Sequence, residues 1–578
     1  KEAIGLNQSA YNHFRLAVYC TAGCLNGSME RLEQELDFFL KHLKLSKVYI
    51  ENHRGDTSLS RERLLELKRW FNERGIEAAG GITPTLGKAY RPGYERLFGG
   101  ICYTDPASRD KFKEAVVTAA SVFDEVIFDD FFFTNCGCDD CLAQKGDRSW
   151  EQFRLELMAE VSEELIVKPA KAANPNVKLV IKYPNWNESY QASGYNTERQ
   201  PLIFDEVYTG TETRDPAISQ QHIPRYASYS LLRWMEELKP GGNGGAWFDN
   251  LDCTYLDYYL EQADLSVFGK ARELTLFCYS LLKDSVHVPA LGFRLGKLDE
   301  AAGRLGGPVG VRVYEPHHAS GEDHLYDYLG MLGIPMELTP HFPDGGQPLL
   351  VTANAACDPD IISRMDAHLR GGGNVVMTSG FLERMYGKGA ERFTTLRPTG
   401  KKLAVQRFAV ETSSCTFDRF SHADGELLYP VFDYATNGTW QSVVALKGHN
   451  NIPVLMYDNY GKGKIHTLIV PDDYADLWRL PAEALQPIRS ALLGGLLPYA
   501  LEGPSRAGLF AYDNDVHIVS NFAELPRKWQ LRLPPGRSLS AAGSTSDRRL
   551  RAVAKTEDGA SLYEIKLAPF SFIQLQVD

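Results

Sequence analysis

Between residues 14 and 300 the chain repeats one unit, a short apolar run followed by a stretch with apolar residues at helical spacing. The short runs read as strands and the 3.6-period stretches as helices. Phe14–Tyr19 is the first predicted strand and Lys47–Glu51 the second, with Met29–His42 as the helix between them. Ile76–Ile82, Glu125–Asp130, Val177–Tyr183, Leu202–Tyr208, Gly245–Asp249 and Glu273–Tyr279 continue the series to eight. Eight such units predict an α/β chain headed by a (βα)8 TIM barrel, whose chemistry gathers where the strands end. The predicted ends are polar or aromatic. Tyr19 and Cys20 close the first, and Glu51, His53 and Arg54 follow the second. Thr83 follows the third, and Asp129 and Asp130 close the fourth. Tyr183 and Trp186 mark the fifth, Tyr208 and Glu212 the sixth, Trp247 and Asp249 the seventh, and Tyr279 the eighth.

At Leu305-Gly-Gly-Pro308 the pattern changes. Val309–Tyr314 reads as a strand, Glu322–Leu332 as a helix, Leu349–Thr352 as a strand, Asp358–Arg370 as a helix and Asn374–Thr378 as a strand. This alternation predicts a doubly wound α/β sheet of the flavodoxin-like or glutamine-amidotransferase-like kind. It lacks a G-x-G-x-x-G or Walker loop, which favours a structural or oligomerising role over nucleotide binding. Residues 385–450 are expected to interrupt the sheet with β-prone, loop-rich sequence, and the sheet resumes from Gly461 to Val470. From Gly503 short strands such as Val516–Ser520, Trp529–Leu533 and Ser571–Val577 predict a small antiparallel β-sandwich. The expected domains are therefore 1–304, 305–502 and 503–578.

Composition alters this picture little, since 44% apolar and 24% charged residues are ordinary for a globular chain of 578 residues. Charge excludes more than it identifies. A net charge of −12 opposes binding to nucleic acid and suits a neutral or weakly charged substrate. No apolar run approaches the roughly 18 residues of a membrane-spanning helix, so no membrane span is expected. Ten cysteines in this length imply no disulfide framework. The first residue is Lys1 and not Met, which points to a removed signal peptide or tag and leaves secreted, periplasmic and cytoplasmic locations open.

The candidate chemistry concentrates in residues 122–141, VFDEVIFDDFFFTNCGCDDC. A buried strand ends there in two adjacent carboxylates, Asp129 and Asp130, of which strict strand alternation would turn only one to the barrel axis. Six residues later Cys136-Gly-Cys138-Asp-Asp-Cys141 has a spacing suited to one tetrahedral zinc. Glycoside hydrolysis needs such carboxyls in pairs, one to protonate the leaving oxygen and one to attack or to activate water. Aromatic faces and Arg at the strand ends suit sugar rings and hydroxyls, making Tyr19, Glu51, His53, Arg54, Tyr183, Trp186, Tyr208, Arg214 and Trp247 the candidate substrate-binding residues. Glu212, after the sixth strand and two residues before Arg214, is a candidate second carboxyl or a loop salt bridge.

An acid at a barrel strand end, a short loop, C-x-C-x-x-C and then the aromatic-Arg pair Phe153-Arg154 resembles the family 42 β-galactosidases and their retaining glycosidase relatives. The resemblance implies a glycosidase acting on carbohydrate. It places Asp129-Asp130 where the family has Asn-Glu, making Asp130 the general acid/base, with Asp129 expected to raise its pKa by repulsion. It supplies Cys102 as the fourth ligand of a closed structural zinc site with Cys136, Cys138 and Cys141. It points to Asp249, at the end of the seventh strand, as the catalytic partner, ahead of Glu212, with Asp252 and Glu206 in reserve. It also implies that the second domain builds a homo-oligomer, a trimer.

Three function classes compete. The first is an exo-acting retaining glycoside hydrolase. The second is a carbohydrate-binding relative whose altered carboxylates have lost catalysis. The third is another barrel enzyme, such as a metal-dependent hydrolase, for which no His-rich constellation stands at a strand end. Exchange of both family Glu residues for Asp on a fixed backbone would widen the carboxyl gap by roughly 2–3 Å, towards the spacing of inverting enzymes. Inversion is thus an alternative to retention.

Overall fold

Eight parallel strands close on themselves in the first of two units, Lys1–Gly303 and Arg304–Asp578. The structure is a computed structural model describing residues 10–86, 96–413, 416–542 and 548–578. The barrel strands are β1 (Arg15–Cys20), β2 (Lys47–Gly55), β3 (Glu77–Leu86), β4 (Glu125–Phe128), β5 (Lys178–Tyr183), β6 (Glu206–Gly210), β7 (Asn243–Asp249) and β8 (Glu273–Phe277). Pairing of β1 with both β2 and β8 closes the ring. Each predicted run contains a strand, with shifted ends. Leu202 lies in the one-turn helix Gln200–Ile203 and is 82% exposed, because Pro201 opens a helical turn there and β6 begins only at Glu206.

Alternation along the strands fills the barrel. Ala17, Tyr19, Tyr49, Ala79, Ile127, Val180, Tyr208 and Trp247 form one buried cluster, with Phe277 packed against it. Two glycines make room for the large rings. A Cβ on Gly81 would lie 2.6 Å from the Tyr19 ring, and one on Gly245 would lie 2.6 Å from the Tyr208 hydroxyl and 2.3 Å from the Glu273 carbonyl oxygen. At the opposite end of the strands Lys47 Nζ donates to Glu125 (2.5 Å), Glu273 (3.3 Å) and the Tyr49 hydroxyl (2.8 Å). Buried charges persist only when paired in this way. The surrounding helices start where their sequences say they should: Ser28, Ser60, Asp105 and Ser149 each accept from a backbone N–H of the first turn.

In the second unit a nine-stranded sheet begins with five parallel strands in the spatial order Met336–Thr339, Val311–Tyr314, Leu349–Val351, Asn374–Thr378 and Gly463–Leu468. The stretch expected to interrupt it instead extends it. Asn450–Tyr460, Thr439–Lys447, Arg397–Ser413 and Thr416–Asp433 add four antiparallel strands to the same sheet. Burial alternates along Thr416–Asp433, where Ala423, Leu427 and Tyr429 are buried and Asp424, Glu426 and Leu428 exposed, and pairing of the added strands satisfies the backbone on the edge that Gly463–Leu468 leaves open.

Two further antiparallel sheets, of six and four strands, pack around one core that includes Leu509, Val519, Trp529, Leu531, Tyr563 and Leu575. The six-stranded sheet takes Pro308–Val309 from the start of the unit as an edge strand on Ala507–Tyr512. Arg489, fully buried, donates to the carbonyls of Leu332, Gly503 and Pro504 and so ties the chain entering these sheets to the layer before them.

Candidate active site

The polar groups at the barrel mouth arise from the same alternation that fills the core. Two residues beyond the inward Tyr49, Ile127, Val180 and Trp247 stand Glu51, Asp129, Lys182 and Asp249. All four are buried. β4 stops at Phe128, so the pleat no longer applies to the next residues and both aspartates reach the mouth. Asp129 and Asp130 line one cavity of about 330 Å³ together with Arg54, Lys182, Glu212, Arg214 and Asp249. Its apolar walls are Phe98, Phe131, Phe133, Trp186, Trp247, Leu251 and Phe277.

The charges pair in a fixed pattern. Lys182 Nζ lies 2.5 Å from Asp130 Oδ2, 2.7 Å from Glu212 Oε1 and 3.9 Å from Asp129 Oδ1. Its ammonium stands over the Trp247 ring, 4.7 Å from the centroid. Arg54 donates to Glu51 (2.9 Å) and to Asp129 (3.1 Å). Arg214 grips Asp249 with two contacts, 2.9 and 2.7 Å, and the backbone N–H of Leu251 also donates to that carboxylate. The Asp130 backbone N–H donates to Asp129 Oδ1 (2.8 Å), and the Tyr195 hydroxyl donates to the Asp130 carbonyl (2.6 Å).

These surroundings separate the carboxyls. Burial pushes Glu212 up to about 7 against the opposing pull of Lys182, and its Oε2 is buried without a hydrogen-bond partner. Burial together with the adjacent Asp130 charge pushes Asp129 up to about 7. Asp130 goes the other way. Burial disfavours its charge, but the Lys182 ammonium outweighs burial and holds it below the ordinary Asp value. The expectation that Asp129 would raise Asp130 is therefore reversed, because the lysine contacts Asp130 far more closely than Asp129.

Of the expected substrate-binding residues, Arg54, Trp186, Arg214 and Trp247 line the cavity and five others do not. His53 is buried with its ring nitrogens on Ser58 (2.9 Å) and the Thr85 carbonyl (2.8 Å), a brace beside β2. Glu51 is fully buried and accepts from Tyr19, the Ala22 N–H, Thr83 and Arg54. Tyr19 is thereby taken up beneath the floor. Tyr208 sits deep in the barrel beside Glu273 and Thr275. Tyr183 is one residue out of phase with Lys182 and packs against Tyr190 and Tyr195. Of the reserves, Asp252 has left-handed backbone (φ 49°), and Glu206 pairs with Lys178 at 2.7 Å. Lys182 was missed, although a lysine in phase with Val180 at the C-terminal end of the strand KLVIKY was a readable signal.

The cysteines converge beside this mouth. The sulfurs of Cys102, Cys136, Cys138 and Cys141 all lie within 4.8 Å of one another and are buried against Phe153. Cys102 Sγ is 3.7 Å from Cys138 Sγ and 3.8 Å from Cys141 Sγ, too far for disulfides. This four-thiol cluster can hold a metal ion.

Residues 3–291 match the family described as probable glycosyl hydrolase, catalytic domain. The chain belongs to that family and is a glycosidase. The second part of this glycosyl hydrolase, residues 306–473, matches the second domain of the uncharacterized protein SSO3021. That protein, from Saccharolobus solfataricus, is 26% identical over 495 residues, covering 79% of this chain and 81% of its own. Among solved structures, β-galactosidase from Bacillus circulans sp. alkalophilus shares the fold with TM-score 0.64 and 12% identity over 98% of this chain and 99% of its own. A catalytic mutant of Gan42B, a GH42 β-galactosidase from G. stearothermophilus, gives TM-score 0.66 and 10% identity over 99% of both chains. The exo-β-1,4-mannosidase Op5Man5 from Opitutaceae bacterium strain TAV5 gives 0.52 and 11% over 83% of this chain and 95% of its own.

Proposed function

We propose that this glycosidase is exo-acting and retaining, with Asp130 and Glu212 as its working carboxyl pair. The observation that carries this reading is the shared contact with Lys182. Two carboxyl oxygens at 2.5 and 2.7 Å from one nitrogen are at most about 5 Å apart, which favours the close pairing of retaining enzymes over the wider gap of inverting ones. Asp249, expected first as the partner, is clamped by Arg214, and its role is to hold that guanidinium at the cavity wall.

The two carboxyls divide the work by protonation. Glu212, carrying a proton near neutrality, donates it to the glycosidic oxygen as the bond to the anomeric carbon breaks. Asp130, held ionised, attacks that carbon and forms a glycosyl ester. Glu212 then takes a proton from water, the water oxygen attacks the same carbon, and Asp130 is released. Asp129 supports Asp130 by accepting its backbone N–H. A cavity of about 330 Å³ is at the small end of ligand pockets and suits one terminal sugar, stacked on Trp186.

The four thiols suit a structural zinc. A tetrahedron with Zn–S bonds of about 2.3 Å has edges of about 3.8 Å, matching the 3.7 and 3.8 Å contacts. Four thiolates leave no position for water, so the ion would fasten the loops after β3 and β4 and take no part in the reaction. For the second unit we propose the doubly wound, oligomer-building role, as a trimer.

A panel of 4-nitrophenyl glycosides tests the reading. Asp130→Asn should abolish turnover of the best substrate and Glu212→Gln should lower it by about 10²–10⁴, while Asp249→Asn should retain part of it. Proton NMR of the first-formed sugar should show the substrate's own anomer, and the opposite anomer would refute retention.

A further inference from the structure

We propose that Lys182 is a positioning residue for this reaction: its ammonium, lodged between Asp130 and Glu212, sets both their spacing and the order in which they ionise. The proposal rests on the carboxyl-pair reading above. It begins from a count of charges at the barrel mouth. Arg214 on the loop after β6 is committed to Asp249 on β7, and Arg54 on β2 to Glu51 and Asp129. Asp130 and Glu212 are left to share one close cation, Lys182 on β5, whose ammonium also lies 3.9 Å from Asp129. One ammonium compensates one full negative charge, so in a buried site the second carboxyl keeps its proton.

Geometry decides which of the two is the anion. The ammonium is closer to Asp130, whose side chain is 20% exposed and so keeps some water. The Glu212 side chain is only 4% exposed, and its second oxygen is buried without a hydrogen-bond partner, a costly place for a charge. Lys182 itself is held in place. Its side chain is 1% exposed, it rises from the penultimate position of β5, and its charge rests on the Trp247 face. It is no proton donor: burial alone would lower its pKa, but the acidic groups around it, Asp130 foremost, outweigh burial and raise it above that of an ordinary lysine. Its effect on the reaction therefore passes through Asp130 and Glu212. Removing it leaves two carboxyls whose nearest oxygens are at most about 5 Å apart with no cation between them, and such a pair resists ionising together near neutrality.

Infrared titration of the protonated-carboxyl stretch in the folded, ligand-free protein tests this without knowledge of the substrate. In an Asp129→Asn background near pH 6, which removes the neighbouring proton that Asp130 itself helps to hold, the band lost in Glu212→Gln should be present and a band lost in Asp130→Asn absent. The reverse order overturns the proposal. In Lys182→Met, an Asp130 band should appear and titrate at least about one pH unit higher than in the wild type. Lys182→Arg should restore the order seen with lysine. The acid limb of kcat/KM on the best 4-nitrophenyl glycoside should move up with it, whereas a purely structural lysine would lower kcat without moving the limb. A folded Lys182→Met with unchanged titration overturns the proposal, and if that variant does not fold, the order in the Asp129→Asn background still decides. Full turnover by Asp130→Asn or Glu212→Gln would instead sink the carboxyl-pair reading, leaving the infrared comparison to judge Lys182 separately.

Discussion

Glu212→Gln should make the protein more stable and less active at once, and the size of the gain should depend on pH. Glutamine has the shape of a protonated glutamate, so the variant behaves as if residue 212 were neutral at every pH. In the wild type Glu212 is pushed from 4.5 up to about 7 by burial. The fold favours its protonated form, so this group's contribution to stability is intact below pH 4.5 and is lost as pH rises through about 7. The loss is about 2.3RT per unit of displacement, which gives roughly 3 kcal/mol at pH 8.5 as an upper value. Thermal unfolding should therefore show Glu212→Gln matching the wild type near pH 4.5 and exceeding it at pH 8.5 by roughly 5 °C. Over the same range, turnover of an activated glycoside should fall by about 10²–10⁴, the usual worth of a general acid/base. Equal melting temperatures at pH 8.5, or a gain that does not change between pH 4.5 and 8.5, would refute the assignment of the buried proton to Glu212.

Protein purified without chelator should contain one zinc per chain, and Cys138→Ser should lose the metal and a large share of stability while any folded fraction keeps its pH profile; metal analysis with thermal melting checks both. Gly245→Ala should destabilise the barrel by about 1–3 kcal/mol or prevent folding, since the new Cβ would meet the Glu273 carbonyl oxygen at 2.3 Å and the Tyr208 hydroxyl at 2.6 Å; denaturant unfolding against Gly296→Ala, where the space is open, provides the contrast. Light scattering at micromolar concentration should give a homo-oligomer, with three chains the expected number, and a monomer would remove the role proposed for the second unit.

The sequence by itself determined the barrel, because each strand carries its own signal, an apolar run followed by a change to helical period. It also marked the four cysteines, since three of them fall within six residues and thiols so close together have few other uses. It brought Asp129, Asp130, Glu212 and Asp249 to the strand ends, where a barrel's topology puts the last inward residues in one place. Local pattern could go no further, for three physical reasons. Which side chains face the cavity depends on pleat phase and on where a strand stops, so Tyr183 turned outward and both aspartates turned in. Which residues are consumed beneath the floor depends on partners distant in the chain, so Glu51 was taken by Tyr19, Ala22, Thr83 and Arg54, and His53 by Ser58 and Thr85. Which acid holds the proton depends on the position of one ammonium. Lys182 lies 52 residues from Asp130 and 30 from Glu212. Only the closed ring of strands brings the three together, and the electrostatics of so short a contact then outweigh anything that adjacency of Asp129 to Asp130 could contribute.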